Sequence, residues 1–214
     1  MSGHRGLSFV LAFITMLGAG FGFVLAVLER NAEQMREMAT HDGLTGCVNR
    51  ITFDAMLLNA LQRGLRSGEP VSLLMLDLDH FKAINDRYGH RAGDAVLRSF
   101  SDVVRTQLRA SDTLARVGGE EFAVILPGTD AAGAAHVAES VREAVQSAAV
   151  DNQQGGVLRI TISVGVACAQ DGDGASADLL YQRADNALYQ AKAAGRNRVV
   201  PASVSALPPA IEPA

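Results

Sequence analysis

The chain is poor in cysteine and has no strong excess of either charge, and each shortage excludes a class of protein. Of its 214 residues only two are cysteines, and Cys47 and Cys168 lie outside any Cys-x-x-Cys or Cys/His pattern. This argues against a zinc site and a disulfide framework, so both thiols are predicted to be buried apolar residues in a reducing compartment. The formal net charge of −4 provides no global basic field, so we expect no nucleic-acid partner.

The segment Gly6–Leu28 contains no ionisable side chain. Its 23 residues, at about 1.5 Å each, span roughly 34 Å, which is enough to cross a hydrocarbon core of about 30 Å. The pattern predicts one transmembrane anchor over residues 1–28. A cleaved secretory signal is the alternative, but the apolar run is long for one and leads directly into charged residues. Arg5 before the run and Arg30 and Arg36 after it do not decide the orientation.

The remaining chain divides into a short linker, one folded domain and a tail. Residues 29–41 keep apolar positions at helical spacing, which predicts a stalk helix too short to form a coiled coil alone. The turn-forming residues 41–45 end it, so the folded domain is predicted over residues 42–200. Four prolines within residues 201–214 predict a disordered tail.

Strand and helix signals alternate along the predicted domain. The apolar run Val71–Leu78 is typical of a buried central strand. Thr113–Val117 and Phe122–Leu126 are two predicted strands joined across a glycine pair, which indicates a hairpin. With a further strand over Leu158–Ala167 and helices between, the order predicts an α/β palm-like (ferredoxin-like) fold. In such a fold a central, mostly antiparallel sheet is flanked by helices.

Carboxylates cluster at two points of this predicted fold. Asp77 lies inside the apolar strand and Asp79 follows it, and a carboxylate there is costly to bury unless it is paired or binds a cation. Glu120 and Glu121 follow the glycine pair of the hairpin. If that turn lies beside the strand end, these carboxylates repel one another unless a hard cation such as Mg²⁺ sits among them. From the spacing alone, a solvated turn without function is an equally good interpretation.

Five blocks, in order along the chain, resemble the GGDEF family of diguanylate cyclases, with the signature turn in its GGEEF form. The blocks are Asp42–Arg50, Leu76–Asp94, Gly118–Phe122, Ser163–Ala167 and Ala184–Asn197. The resemblance covers about residues 42–200 and implies a nucleotidyl-cyclase fold. It also implies an enzyme, a nucleotidyltransferase that condenses two GTP molecules into cyclic di-GMP and two pyrophosphates. An inactive GGDEF-type receptor for cyclic di-GMP is the alternative, although such receptors usually have a damaged signature turn.

The resemblance implies a role for each matching residue at the acidic cluster. Asp77, Glu120 and the backbone carbonyl of Leu78 would hold Mg²⁺, with Mn²⁺ as an alternative cation. Glu120 would also activate the attacking 3′-hydroxyl, and Glu121 would support the metal site.

The resemblance likewise implies how the substrate binds. Asn85 and Asp94 would read guanine, because an amide and a carboxylate match its O6, N1–H and N2–H₂ edge, which adenine cannot reproduce. A solvated surface position without function is a more serious alternative for Lys82 and His90 than for Asn85 and Asp94. Lys82 and two other basic residues would pair with the phosphates. The implied substrate contacts besides the guanine readers are Lys82, His90, Gly118, Gly119, Lys192 and Arg196.

The resemblance finally implies regulation and assembly. Arg109 and Asp112 match the spacing of a product-binding Arg-x-x-Asp motif, which would bind cyclic di-GMP and inhibit turnover. Ser140 stands where the family often has an arginine of that site, so inhibition is expected to be weaker or to use another surface. Each domain would bind one GTP, so the reaction needs a homodimer. The need for cytosolic GTP implies a single-pass protein of the bacterial inner (cytoplasmic) membrane with its catalytic domain in the cytoplasm.

Overall fold

The computed structural model describes residues 40–151, 156–169 and 176–202, with positions 16, 18, 21–24, 27, 28 and 30. The chain divides into two compact units, Met1–His41 and Asp42–Ala214. The predicted stalk lies mostly outside the described residues, as does nearly all of the predicted disordered tail.

The predicted transmembrane helix is the main correction to the fold. A helix that crosses a bilayer needs about 20 consecutive, mostly apolar residues. Among the residues that the structure describes, none of the helices is both long and apolar enough for this. The described positions between Met16 and Arg30 are helical and exposed, and the rest of the predicted anchor lies outside the described residues. The prediction of a membrane-spanning helix over residues 1–28 is therefore wrong.

The second unit is built on a six-stranded sheet. Its strand order is β1-β3-β4-β2-β7-β8, and a separate hairpin pairs β5 with β6. The three inner pairings are antiparallel and the two outer pairings are parallel. This confirms the predicted palm-like α/β fold with a mostly antiparallel sheet. The strands are β1 Val48–Asn49, β2 Val71–Leu78, β3 Thr113–Arg116, β4 Glu121–Pro127, β5 Val150–Asp151, β6 Val157–Leu158, β7 Ile162–Cys168 and β8 Arg198–Pro201.

Helices cover both faces of the sheet, as the alternation of side chains along β2 requires. Leu74, Leu76 and Leu78 belong to one core, shared with α2, α3 and α4. Leu73 and Met75 belong to the other core, shared with α1 and α5. The helices are α1 Arg50–Ser67, α2 Phe81–Tyr88, α3 His90–Thr106, α4 Ala131–Ser147 and α5 Ala177–Ala193.

A close approach between α5 and β7 fixes the height of that helix above the sheet. A Cβ atom added at Gly165 on β7 would overlap the carbonyl oxygen of Ala184 and the backbone nitrogen of Leu188 on α5. The helix therefore packs its backbone directly on the strand. The start of α5 is fixed by Ser176, whose hydroxyl accepts a hydrogen bond from the Leu179 N–H at 3.3 Å. These contacts determine where Lys192, in the last turn of α5, meets the end of the sheet.

Candidate active site

The register of the sheet brings three predicted carboxylates to one end of β2. Asp77 is paired with Glu121 on β4 and with Ser163 on β7. The Leu78 N–H donates to the carbonyl oxygen of Glu120 at 3.3 Å, so the hairpin turn lies beside the strand end. The acidic site was predicted on the condition that the hairpin turn lies beside the end of β2. The structure meets this condition, and Asp77, Glu120 and Glu121 lie together.

Lys192 joins this cluster from α5. Its Nζ lies 2.6 Å from Asp77 Oδ2, and the Asp77 side chain is only 7% exposed. Burial raises the pKa of Asp77 above its usual value, although Lys192 favours the ionised form. Burial, and after it the charge of Asp77, also raises the pKa of Glu120. The two carboxylates therefore favour a nearby cation.

The acidic cluster suits one of two kinds of site for the divalent cation that the resemblance implies. Within the described ranges, no group of three or more His, Cys, Asp or Glu side chains is arranged to hold a metal ion. A site made wholly of protein ligands is thus absent from that part of the chain. Mg²⁺, however, is usually held by one or two carboxylates together with substrate phosphates and waters. Asp77 and Glu120, beside the backbone of Leu78, fit that second kind of site.

Arg116 connects the signature turn to the first residues of the domain. Its Nη1 donates to both carboxylate oxygens of Asp42, at 3.1 and 3.2 Å. Its Nη2 and Nε donate to the carbonyl oxygen of Gly119 at 2.6 and 3.2 Å. Burial alone would raise the pKa of Asp42, but hydrogen bonds from Thr45 and the charge of Arg116 outweigh it, and the pKa lies below its usual value. One guanidinium therefore fixes the backbone next to Glu120.

Sequence reasoning assigned no role to Arg116. The residue is 74 positions from Asp42, and no local pattern pairs them. Two sequence features could have indicated this contact. Arg116 lies two residues before the glycine pair, and the Asp42–Arg50 block begins with an acidic residue. An arginine there can form a bidentate contact, which lysine cannot reproduce.

The predicted guanine readers lie on two neighbouring helices. Asn85 on α2 and Asp94 on α3 are both half-buried. Gly89 separates the helices with a φ of 82°, and its N–H donates to the Asn85 carbonyl at 2.9 Å. A Cβ atom at Gly93 would overlap Asn85 Oδ1, so the amide of Asn85 lies directly against α3.

The remaining predicted substrate residues differ in how they are placed. Lys82 and His90 are exposed, at the first turns of α2 and α3. Arg196 is exposed in the turn after α5 and has a φ of 62°. Lys192 is part-buried against Asp77, so the structure brings it into the acidic cluster.

The predicted inhibitory residues form one compact turn after α3. Asp112 Oδ2 accepts a hydrogen bond from the backbone N–H of Arg109 at 2.8 Å, and the Asp112 N–H donates to the Arg109 carbonyl at 3.0 Å. Arg109 is exposed. Ser140, on α4, donates its hydroxyl to the His136 carbonyl at 3.0 Å.

The fold and these side chains define a class of site. Clustered carboxylates, a lysine and an arginine at the end of α5, and an amide–carboxylate pair suit phosphoryl transfer from a purine nucleotide. Catalysis of that reaction depends mainly on positioning and on charge stabilisation.

Comparison with known proteins gives the family. The sequence model described as "Diguanylate cyclase, GGDEF domain" matches residues 39–198. The chain is 43% identical over 174 residues to the response regulator PleD of Caulobacter vibrioides, covering 81% of this chain and 38% of PleD. It is 41% identical over 170 residues to the diguanylate cyclase DgcS of Shewanella oneidensis, covering 78% of this chain and 55% of DgcS.

Solved structures agree. The coiled coil and GGDEF domain of DgcB from Caulobacter crescentus, in complex with c-di-GMP, matches with a TM-score of 0.78 and 37% identity. The match covers 87% of this chain and 99% of that one. The chain belongs to the GGDEF-domain family of diguanylate cyclases. It spans about two fifths of the length of PleD and about half that of DgcS.

Proposed function

We propose that this chain is a diguanylate cyclase of the GGEEF form, which condenses two GTP molecules into cyclic di-GMP and releases two pyrophosphates. The observation that carries the proposal is the meeting of Asp77, Glu120 and Glu121 at one end of the sheet, with Lys192 ion-paired to Asp77. The GGDEF family and the cyclic di-GMP complex of the DgcB domain support it. The proposed domain bounds are 42–200.

Guanine recognition is assigned to Asn85 and Asp94. The amide and the carboxylate offer a donor and acceptors to the Watson–Crick edge of guanine. Adenine has no N1–H or N2–H₂ to donate to the Asp94 carboxylate and would leave that half-buried group unpaired, which costs about 1–3 kcal/mol. GTP is therefore the substrate rather than ATP.

The phosphates are assigned to the basic residues at the end of α5. Lys192 and Arg196 supply charge-assisted hydrogen bonds to the triphosphate, and exposed Lys82 adds a further positive charge. When bound, Mg²⁺ or Mn²⁺ would stabilise charge on the phosphoryl oxygens and lower the pKa of the attacking hydroxyl. Asp77, Glu120 and the carbonyl of Leu78 would hold that cation.

Proton transfer is assigned to Glu120. Its pKa is raised by burial and by Asp77, which makes the carboxylate a better base for the 3′-hydroxyl of GTP. The 3′-oxygen forms a bond to the α-phosphorus of the other GTP. The bond between that phosphorus and the oxygen bridging the α- and β-phosphates breaks, and pyrophosphate leaves. The same step repeated in the other direction closes the ring.

Two copies of the domain are needed because each binds one GTP. A homodimer that holds two sites face to face raises the effective concentration of the second nucleotide. The product is proposed to bind at Arg109 and Asp112 and to inhibit turnover, weakly because Ser140 replaces an arginine. Since GTP is the substrate, we place the catalytic domain in the cytoplasm.

Pyrophosphate release tests the proposal. The chain with Mg²⁺ is expected to release pyrophosphate from GTP and not from ATP, and Glu120→Gln is expected to lose at least about a hundredfold in rate. Glu69→Gln, the same substitution at an exposed glutamate in the turn after α1, is the matched control and should keep full activity. Tight cyclic di-GMP binding without pyrophosphate release would instead favour a receptor.

A further inference from the structure

We propose that Asp79 is a positioning residue, whose buried carboxylate holds the turn after α5 in the conformation that presents Arg196 to the triphosphate. The inference rests on the proposed function, because it takes a phosphate contact for Arg196 as given. Asp79 lies just past the end of β2, and its carboxylate accepts a hydrogen bond from Ser163, the residue of β7 that pairs with Asp77. Asp77 meets the helix through Lys192, and Asp79 meets the turn that follows it.

Three donors surround the Asp79 carboxylate. Thr161 Oγ1 donates to Oδ2 and Ser163 Oγ donates to Oδ1, both at 2.7 Å. The third donor is the backbone N–H of Asn197, at 3.0 Å from Oδ2. Asp79 is only 5% exposed, and its contact with Ser163 is fully buried, whereas those with Thr161 and Asn197 are partly buried. The hydroxyls fix the orientation of the carboxylate, and the third bond attaches a segment 118 positions away.

The attached turn has an unfavourable backbone conformation. Arg196 and Asn197 have φ values of 62° and 45°, in the left-handed region that side chains with a Cβ rarely adopt. The conformation is strained for Arg196 and better tolerated by Asn197, and it persists where surrounding contacts hold it. The Arg196 N–H also donates to the Ala191 carbonyl at 3.0 Å, but that bond alone does not fix Asn197.

A second anchor reaches Asn197 from α4. Arg142 Nη1 donates to Asn197 Oδ1 at 3.0 Å. Arg142 is 13% exposed and is itself held by Glu139, whose carboxylate accepts from Nη2 at 2.6 Å. Asn197 is therefore held by its backbone at Asp79 and by its side chain at Arg142.

The exposed Arg196 depends on this turn for its direction. Lys192 is placed by helix α5, whereas Arg196 lies beyond its end, in the turn between that helix and strand β8. A guanidinium that is held in another direction loses its charge-assisted hydrogen bonds to the phosphate oxygens. Loss of the Asp79 anchor should therefore weaken the part of GTP binding that depends on the β- and γ-phosphates.

A double-mutant cycle on the full chain tests this. The cycle compares Asp79→Asn, Arg196→Ala and the double variant, with binding measured for GMP and for a GTP analogue whose α–β bridge cannot be cleaved. Each single variant is expected to weaken the analogue about tenfold, the size of one charge-assisted contact. The double variant should be no more than about twofold weaker than Arg196→Ala, because Asp79 acts through Arg196. GMP binding should not change.

Two results would overturn the inference. Losses that multiply to about a hundredfold in the double variant, or an equal loss for GMP, would show that Asp79 acts elsewhere. A wild-type chain that does not bind GTP would overturn the proposed function as well, whereas tight GTP binding with multiplying losses would overturn this inference alone.

Arg142→Met keeps the test decisive if Asp79→Asn does not fold. It removes the second anchor and is expected to raise KM for GTP about threefold while kcat stays within about twofold. Arg63→Met, the same substitution at an exposed arginine of α1, is the matched control and should change neither. An unchanged KM in folded Arg142→Met would overturn the inference.

Discussion

Lys192 Nζ lies 2.6 Å from Asp77 Oδ2, so the lysine proposed to bind phosphate is paired with the aspartate proposed to bind the cation. A divalent cation on Asp77 would compete with the ammonium group for the same carboxylate. Lys192 would then be released toward the phosphates, where its charge is needed. Cation binding and triphosphate binding are therefore expected to support each other.

Lys192→Met should destabilise the fold in a pH-dependent way. The change leaves a buried carboxylate without its partner, which costs about 1–3 kcal/mol in the free energy of unfolding. The folded-state pKa of Asp77 already lies above its usual value of 3.8, so the free energy of unfolding falls as the pH rises from 3.8 through the folded-state pKa. Without Lys192 that pKa rises further, and the loss of stability becomes larger. Urea unfolding should show the largest difference from wild type near pH 8 and little difference near pH 3.5.

Lys82→Met is the control for this change, because Lys82 is exposed on α2. It should leave the free energy of unfolding unchanged at both pH values. An equal loss of stability for Lys192→Met at low and at neutral pH would contradict the ion pair as its cause.

Arg116→Lys should separate turnover from binding. Lysine keeps the charge but cannot contact Asp42 and the Gly119 carbonyl together, so the backbone beside Glu120 is less well fixed. We expect kcat to fall about tenfold while the Kd for GTP stays within about threefold. Steady-state kinetics with a parallel binding titration measures both.

Arg105→Lys provides the comparison. Arg105 Nη2 donates to the Thr45 carbonyl at 2.7 Å and so contacts the same first turn of the domain, whereas its other partners are Asp102 and Cys47. It should lower stability by about 1 kcal/mol and leave kcat within about twofold. An equal loss of kcat in both variants would indicate a general loosening of the domain.

The two glycines of the signature turn should respond differently to alanine. A Cβ atom at Gly118 would overlap Glu121 Oε2, whereas at Gly119 it would meet no atom within 4 Å. Gly118→Ala is therefore expected to displace Glu121 and to weaken Mn²⁺ binding, measured by electron paramagnetic resonance. Gly119→Ala should leave the melting temperature and Mn²⁺ binding unchanged. If this variant raises KM for GTP, the added methyl group contacts the nucleotide, because it contacts no protein atom. Equal Mn²⁺ affinities would contradict the steric account.

Gly93→Ala should weaken guanine recognition. The added Cβ would occupy the place of Asn85 Oδ1 and push that amide away from α3. We expect about a tenfold weaker Kd for GTP, and an effect that does not add to that of Asn85→Ala. Additive losses in the double variant would show that Gly93 serves another purpose.

The parts of the site that could be predicted from sequence are local ones. The apolar run of β2 and the glycine pair of the hairpin each predicted their elements, and the family resemblance added the residue types. Local signals were weaker at interruptions. The strand predicted over Leu158–Ala167 is interrupted between Leu158 and Ile162.

The contacts that could not be predicted join distant positions. Asp42 with Arg116 and Asp79 with Asn197 are 74 and 118 residues apart, and only the packed sheet brings them together. The membrane helix was predicted from the length and hydropathy of an uncharged run, and such a run does not show that one continuous helix forms over it. The described residues contain no such helix.

The measurement that tests the central claim most directly is chromatography of a GTP reaction with Mg²⁺ over a range of protein concentrations. The account predicts cyclic di-GMP with two pyrophosphates per product, a specific activity that rises with protein concentration, and loss of product in Glu120→Gln. A chain that binds GTP but forms no cyclic di-GMP at any concentration would contradict it.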